Sequence, residues 1–179
     1  MIQLSRSLRR QSHFYIRFRQ EEKGKNVILD PREIREGVEV YRKMNIRAQT
    51  EFQYNKEWTI RNRMEWISYK EARSMKESGF LCFLEAFYKP MLQPYAFNVR
   101  FQYFEADSYD SRVYAYENDV LYQFSIPSFY GSGYKVYVNG KVKFNKSFTC
   151  WLKLSRMWHN HLWIDEVKLQ LLMEIGKSV

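Results

Sequence analysis

The chain has 179 residues, 45% of them hydrophobic and 18% aromatic, and a formal net charge of +9. The aromatic content excludes a disordered chain, because each buried ring removes a large apolar area from water. Cys82 and Cys150 are too few and too far apart for the disulfide framework of a small secreted domain. The length fits one domain with its own core, with or without an extended arm.

Most of the excess positive charge lies at the start of the chain. Residues 1–20 contain no Asp or Glu, and without their arginines the 29 basic residues of the chain fall to 24, against 20 acidic ones. An Arg-rich segment of this composition is typical of a mitochondrial presequence. We therefore predict that residues 1–29 are a targeting segment, with a basic arm that binds RNA or an acidic partner as the alternative. The arginines concerned are Arg6, Arg9, Arg10, Arg17 and Arg19.

Residues 30–79 predict a helical docking arm. Asp30 is a favourable N-cap, Pro31 suits the first helical position, and Glu33 completes the spacing of a capping box. Apolar residues then recur at helical intervals, and Gly79 is a suitable C-terminal stop. The pattern leaves open whether the arm is one long helix or a pair of helices. Its apolar stripe comprises Ile34, Val38, Tyr41, Ala48, Phe52, Ile60, Met64 and Ile67.

A helix of this length is too long for a small sheet to cover, since strands commonly span only about 17–20 Å. We therefore expect the arm to bind other protein subunits. Trp58 and Trp66 are the predicted anchors, because Trp is enriched among the residues that dominate interfaces. Together with the five N-terminal arginines, these two residues are the predicted partner-binding residues.

Residues 80–179 predict a small α+β domain. Phe97, Val99, Phe101 and Tyr103 alternate with polar residues, a pattern typical of a strand. Further predicted features are strands at 112–116, 120–126 and 147–154, a hairpin with its type I′ turn at Asn139-Gly140, and a helix from about Met157 to Ile175.

The predicted fold class is therefore α+β: a long N-terminal helix or helical hairpin, a small antiparallel β-sheet and a C-terminal helix. The longest apolar run, residues 80–88, contains Glu85 and is far shorter than the roughly 20 residues of a membrane-spanning helix. The interpretation at this point is a protein that is soluble or peripheral to a membrane and does not span it.

Residues with catalytic or metal-binding potential do not form a convincing site in the sequence. His159 and His161 are two positions apart and would diverge on a helix. The glycines of Gly131-Ser132-Gly133 lack the spacing of a nucleotide-binding loop and are predicted to form a loop between strands. The carboxylates within 105–119 are predicted to lie in a solvated loop. We expect no catalytic, cofactor-binding or metal-binding residues, no cofactor, no small-molecule substrate and no enzymatic activity.

These patterns favour a soluble accessory subunit of a large mitochondrial complex, first of all the respiratory chain or ATP synthase. The alternative is a mitochondrial ribosomal protein that contacts rRNA through its basic arm and through rings and lysines on strands, which can stack bases and bind phosphates. The residues of that alternative are Phe97, Phe101, Tyr103, Tyr134, Lys135, Tyr137, Lys141 and Lys143.

Overall fold

The computed structural model describes residues 1–8, 12–30, 35–71 and 75–174. These residues form eleven strands and no helix, so the predicted α+β fold class is wrong and the protein is all-β. The strands are β1 (Ile2–Leu8), β2 (Ser12–Asp30), β3 (Arg35–Gln53), β4 (Trp58–Glu71), β5 (Glu77–Tyr88), β6 (Tyr95–Ala106), β7 (Val113–Tyr114), β8 (Ser128–Phe129), β9 (Gly131–Lys143), β10 (Phe148–His159) and β11 (Leu162–Met173).

Nine of these strands form a single antiparallel sheet in the order β1-β2-β3-β4-β5-β6-β9-β10-β11. Each strand therefore pairs with the next strand of the large sheet along the chain. The one long connection is residues 107–130, between β6 and β9, which contains the small β7–β8 pair. We call these residues the covering segment, because they lie across one face of the sheet. Within the described residues, β1 and β11 each have a neighbour on one side only.

The predicted helical arm at residues 30–79 is wrong, because this part of the chain forms β3, β4 and the start of β5. In β4, Trp58, Ile60, Met64 and Trp66 are apolar at even positions, while charged residues such as Arg63 occupy odd ones. An interval of two is the period of a strand and does not fit one face of a helix.

The predicted N-cap at Asp30 does not begin a helix. Asp30 is the last residue of β2, whereas Pro31 and Glu33 lie outside the described residues. Arg35 and the residues after it continue as β3, paired with β2 in a long hairpin. The cap pattern therefore precedes a strand rather than a helix.

The predicted C-terminal helix is also wrong. Its residues form the end of β10 and all of β11, which are joined by a turn in which Asn160 and His161 have φ angles of 47° and 69°. Asn139 and Gly140 do not form a turn either, since they lie within β9 opposite Lys153 and Leu152.

The other strand predictions have mixed outcomes. The predictions at 97–103 and 147–154 are confirmed, because these residues lie in β6 and largely in β10. Only Val113 and Tyr114 of the range 112–116 are in a strand. Residues 120–126 form no strand and contribute a single bridge residue, Ser125, opposite Glu117.

A small apolar core lies between the sheet and the covering segment. It comprises Ile67, Leu81, Phe83, Phe104, Val113, Ala115 and Phe129. Leu81, Val113 and Ala115 have no exposed surface. The covering segment thus holds its position by burying apolar side chains against the middle of the sheet.

Two glycines of β9 should respond in opposite ways to valine. In Gly133→Val, the new Cβ would collide with the carbonyl oxygen of Trp158 on β10 and lie 2.8 Å from Cζ of Phe104. We expect this substitution to lower the free energy of unfolding by about 3 kcal/mol. In Gly140→Val, the atom nearest to the new Cβ is the carbonyl oxygen of Leu152 at 4.0 Å. That variant should stay within about 1 kcal/mol of the wild type, because valine favours strands. Urea unfolding of both variants measures the difference, and equal destabilisation would contradict the register of β9 on β10.

Candidate functional site: a sheet with one apolar and one charged face

One face of the large sheet is apolar along its whole width. Paired residues of neighbouring strands point to the same face of a sheet, so a row of pairs can be followed from edge to edge. One such row contains Leu4, Ile16, Ala48, Met64, Cys82, Tyr103, Tyr134, Trp158 and Trp163. We call the face that carries this row the apolar face. None of its nine positions is charged or carries an amide.

The apolar face is also exposed. Eight of its apolar residues, one from each strand from β2 to β11 of the large sheet, have 40–63% of their surface accessible. They are Ile16, Ile46, Met64, Leu84, Phe101, Val138, Leu154 and Leu169. Isolated exposed apolar residues are ordinary, but a contiguous patch of this extent marks a surface that contacts a protein or a membrane.

Aromatic side chains border the apolar face at one end of β4–β6 and β9–β11, and at the other end of β4–β6. The first rim contains Trp66, Phe80, Tyr103, Tyr134, Trp158 and Trp163, and the second contains Trp58, Tyr88, Tyr95 and Phe97. In the first rim, the rings of Tyr134 and Trp158 stack with centroids 5.4 Å apart. In the second, the centroids of Trp58 and Tyr88 are 4.7 Å apart. Residues 58 and 66 of β4 are separated by about 26 Å at about 3.3 Å per residue.

One row of the apolar face carries charged and polar residues. It lies two residues from the row above, midway between Trp58 and Trp66 of β4, and contains Arg6, Phe14, Thr50, Asn62, Leu84, Phe101, Val136, Arg156 and Asp165. Arg156 and Asp165 form a bidentate ion pair with N–O distances of 2.7 and 2.8 Å. On the apolar face, this pair is the neighbour of the Trp158–Trp163 pair of the first rim. Arg6 lies on the edge strand β1. Asn62 of β4 also exposes its amide between the two rims, and the remaining side chains there are aliphatic, aromatic or small and uncharged.

The opposite face of the sheet carries the charged residues. A row of paired residues on it contains Ser7, His13, Glu51, Arg61, Glu85, Arg100, Tyr137, Ser155 and Glu166. Every member of this row has a polar side chain. We call this surface the polar face, and its central part lies beneath the covering segment.

Glu85 is the centre of the first buried polar cluster. Its carboxylate has no exposed surface and accepts hydrogen bonds from Arg100, Tyr137, Asn98 and Asn118 at 2.7–2.8 Å. Arg100 also donates to the carbonyl oxygen of Tyr116 in the covering segment at 2.7 Å. Four donors thus provide hydrogen bonds to the oxygens of one buried carboxylate.

Glu117 and Asp119 form the second buried cluster. Both belong to the covering segment, and Lys153 of β10 bridges them with N–O distances of 3.2 Å to each carboxylate. Lys135 contacts Glu117 at 2.9 Å, and Lys168 contacts Asp119 at 2.8 Å. Burial would raise the pKa of Asp119, but the hydrogen bonds from Lys168 and the Val120 N–H outweigh it, so the pKa lies below its ordinary value.

The prediction of a solvated acidic loop at 105–119 is therefore wrong for Glu117 and Asp119. Glu117 is 1% exposed, and the side chain of Asp119 has no exposed surface. The lysines that neutralise them come from β9, β10 and β11, which no local pattern connects to this loop. Neither cluster can be recognised from the sequence for this reason.

The predicted partner-binding residues do not form one surface. Trp58 and Trp66 lie in opposite rims of the apolar face, whereas Arg17 and Arg19 of β2 project from the polar face. Arg6 is on the apolar face, and Arg9 and Arg10 lie outside the described residues. The targeting function of residues 1–29 stays a prediction.

The RNA-binding hypothesis required rings and lysines on a common surface. Phe101, Tyr103 and Tyr134 lie on the apolar face, whereas Lys135 and Lys141 are at odd positions of β9 and project from the polar face. Strand alternation therefore separates most of the rings from the lysines. Phe97 is also on the apolar face, and Tyr137 and Lys143 are on the polar face.

The other residues considered for chemistry are also dispersed. His159 Nε2 contacts the carbonyl oxygen of Tyr130 at 2.8 Å, while His161 lies in the β10–β11 turn. Gly131 and Gly133 begin β9 and are not in a loop, which corrects the prediction. Cys82 and Cys150 are both half-buried. In the part of the chain that the structure describes, no three His, Cys, Asp or Glu side chains converge as metal ligands.

Comparisons with known proteins give no further constraint on this arrangement. Among the described residues there is no helix with the length and apolar character needed to cross a bilayer. No protein-family model matches the sequence, and no curated protein or solved structure is significantly similar to it.

Proposed function

We propose that this chain forms an antiparallel sheet embedded in a membrane, with its apolar face against lipid acyl chains and its polar face turned to a protein-lined interior. The observation that carries this proposal is the apolar row across all nine strands, opposite a row of polar residues. The function is structural: the sheet separates a charged interior from lipid, and the covering segment fills part of that interior.

The direction of burial supports lipid as the occupant of the apolar face. A sheet in water normally packs its apolar side inward and exposes its charged side. Here Glu85, Arg100 and Lys153 are at most 1% exposed, while Leu84 and Phe101 on the other side are more than half exposed. The chain itself covers the central part of its charged face and leaves its apolar face open, as expected if the apolar face contacts an apolar medium.

The dimensions and borders of the apolar face support the same occupant. Tilted membrane strands need about 9–11 residues and form an apolar band about 25 Å tall between two aromatic girdles. The strands of the large sheet other than β1 have 12–19 residues. Tyr and Trp are favoured at membrane–water interfaces because their rings are apolar and their polar groups reach water. The rims are about 26 Å apart along β4, which corresponds to an apolar height of about 19–22 Å for a strand tilted by 35–45°, somewhat less than that band.

The ends of the strands differ in a way that fits the proposal. The β3–β4 and β9–β10 turns, on the side of the second rim, contain four residues each, at 54–57 and 144–147. On the side of the first rim, the covering segment and the β2–β3 hairpin are much longer, whereas the β10–β11 turn at 160–161 has only two residues. The hairpin extends well beyond Phe18 and Ile46 with charged residues, including an Arg42–Glu22 ion pair at 3.2 Å. We expect this extension to lie in water.

The two edge strands impose a condition on the proposal. Backbone N–H and C=O groups cannot remain unpaired in hydrocarbon, where each costs several kcal/mol. Within the described residues, β1 and β11 use one edge each. We therefore expect their outer edges to pair in the membrane, with each other or with strands of another chain.

The proposal also bears on the earlier hypotheses. A non-catalytic, structural role in a larger assembly is compatible with an embedded sheet, and its mitochondrial location stays a prediction. The expectation of a protein peripheral to the membrane, which rests on the absence of a long apolar run in the sequence, stays a prediction and is the alternative to the embedded sheet.

Depth-dependent fluorescence quenching tests the proposal. The full chain is folded with phosphatidylcholine vesicles whose acyl chains carry bromine either near the headgroup or near the chain end. Trp58, Trp66, Trp158 and Trp163 lie in the rims, so bromine near the headgroup should quench their fluorescence more strongly. Trp151 projects from the polar face, so Trp151→Phe should leave the bromine effect unchanged. A folded chain that stays in the aqueous phase and shows no quenching would indicate that another protein, or a second copy, covers the apolar face.

A further inference from the structure

A cavity on the polar face has more positive than negative charge. It has a volume of about 270 Å³ and lies at the β2, β3 and β4 strands beside Tyr114 of the covering segment. Four basic residues line it, namely Arg17, Arg19, Lys43 and Arg47, together with two acidic ones, Glu21 and Glu65. This cavity is distinct from the two buried clusters around Glu85 and Glu117.

The two carboxylates of the cavity are already engaged. Glu65 is 3% exposed and receives two hydrogen bonds from Arg47, at 2.7 and 2.8 Å, and one from Asn45 at 2.6 Å. Glu21 pairs with Arg19 at 2.8 Å. Each acidic charge is therefore matched by one of the four basic residues.

The other two cations lack such a match. Lys43 Nζ donates to the backbone carbonyl oxygen of Asp110 at 2.9 Å, which is a neutral acceptor. The Nε of Arg17 is buried without a hydrogen-bond partner. Within the described residues, neither side chain has a carboxylate within ion-pair distance. A buried guanidinium N–H without an acceptor is costly, so an anionic acceptor at this position would be favoured.

We propose that this cavity binds a dianionic phosphate group between Arg17 and Lys43. A phosphate dianion balances the two unmatched charges and has enough oxygens to accept from both side chains. The guanidinium of Arg17 can present parallel N–H groups to two phosphate oxygens, and the ammonium of Lys43 acts as a point charge. The site is formed by the polar face and the covering segment, so it does not depend on what contacts the apolar face.

Isothermal titration calorimetry of the folded full-length chain with inorganic phosphate tests the site at constant ionic strength. We expect saturable binding with one phosphate per chain. Arg17→Gln and Lys43→Gln should each weaken binding at least about tenfold, since each removes a charge-assisted hydrogen bond. Arg17→Lys keeps the positive charge but loses the planar guanidinium that can donate two parallel hydrogen bonds. It should therefore bind phosphate more weakly than the wild type and more tightly than Arg17→Gln.

Lys146→Gln is the matched control, because it removes one positive charge from the exposed β9–β10 turn. It should leave phosphate affinity unchanged within about twofold. Circular dichroism verifies that all variants are folded. Three results would overturn the site: no binding at millimolar phosphate, an equal loss of affinity in Lys146→Gln, or displacement of phosphate by equimolar chloride. The last two would reveal a general attraction of the basic chain for anions.

Discussion

Val138→Arg should destabilise the chain by about 2–4 kcal/mol when it is folded in lipid vesicles, the cost of a cationic side chain near the midplane of a bilayer. Val138 lies on the apolar face, paired with Val99 of β6 and Leu154 of β10, and it is 40% exposed. An arginine at so open a position would change stability by only about 0.5 kcal/mol in water. The size of the effect therefore reports the medium around the apolar face. Urea unfolding of the vesicle-bound chain, followed by tryptophan fluorescence, measures it.

Ser132→Arg provides the control on the same strand and the same face. Ser132 is exposed and lies beyond Tyr134 of the first rim, so its substitution should cost no more than about 1 kcal/mol in vesicles. Equal effects of the two arginines would contradict an embedded apolar face. If Val138→Arg instead leaves unfolding unchanged but abolishes binding to another protein, that protein is the occupant.

The alternation of apolar and polar residues in this sequence predicts strands where a helix was expected. Ile60 and Met64 are four residues apart, an interval that places two residues on one face of a helix and also on one face of a strand. Trp58 and Trp66 distinguish the two periods, because they extend the same series in steps of two. The same holds for Val167, Leu169 and Leu171 of β11.

The direction in which the sheet faces could not be predicted in this way. Alternation in β6 correctly predicts that Val99 and Phe101 share one face and Arg100 and Gln102 the other. It does not determine which face the rest of the chain covers. That depends on the covering segment, whose Val113 and Phe129 pack on the side of Arg100. The contact joins distant parts of the sequence, so a local pattern carries no information about it.

The buried clusters are unpredictable for the same reason. Glu85 is hydrogen-bonded to Arg100, which is 15 residues away in the sequence, and to Tyr137, which is 52 residues away. Lys153 meets Glu117 across 36 residues. Each charged residue looks like a solvent-exposed residue of a strand or loop when it is considered alone. Only the register of β5, β6 and β9, and the position of the covering segment on β10, bring these residues together.

Arg100→Met should lower the free energy of unfolding by about 3–5 kcal/mol, because it removes one partner of a buried ion pair and leaves the other charged. Arg100 is 1% exposed and bonds Glu85 at 2.7 Å. Its guanidinium also lies 3.9 Å from the ring centroid of Phe83 and holds the carbonyl oxygen of Tyr116. One side chain thus links β5, β6 and the covering segment. Methionine preserves much of the volume and none of these polar contacts.

Arg42→Met is the matched control, since Arg42 pairs with Glu22 at 3.2 Å where both side chains are more than half exposed. Its loss should cost no more than about 1 kcal/mol. The double variant Arg100→Met with Glu85→Gln separates the causes. If the cost arises from an uncompensated carboxylate, neutralising Glu85 should recover part of the stability lost in Arg100→Met. Additive losses in the double variant would instead show that Arg100 stabilises the fold through Phe83 and the covering segment, with the ion pair contributing little. Urea unfolding of the wild type, Arg100→Met, Glu85→Gln, the double variant and Arg42→Met distinguishes the two causes, whichever medium contacts the apolar face.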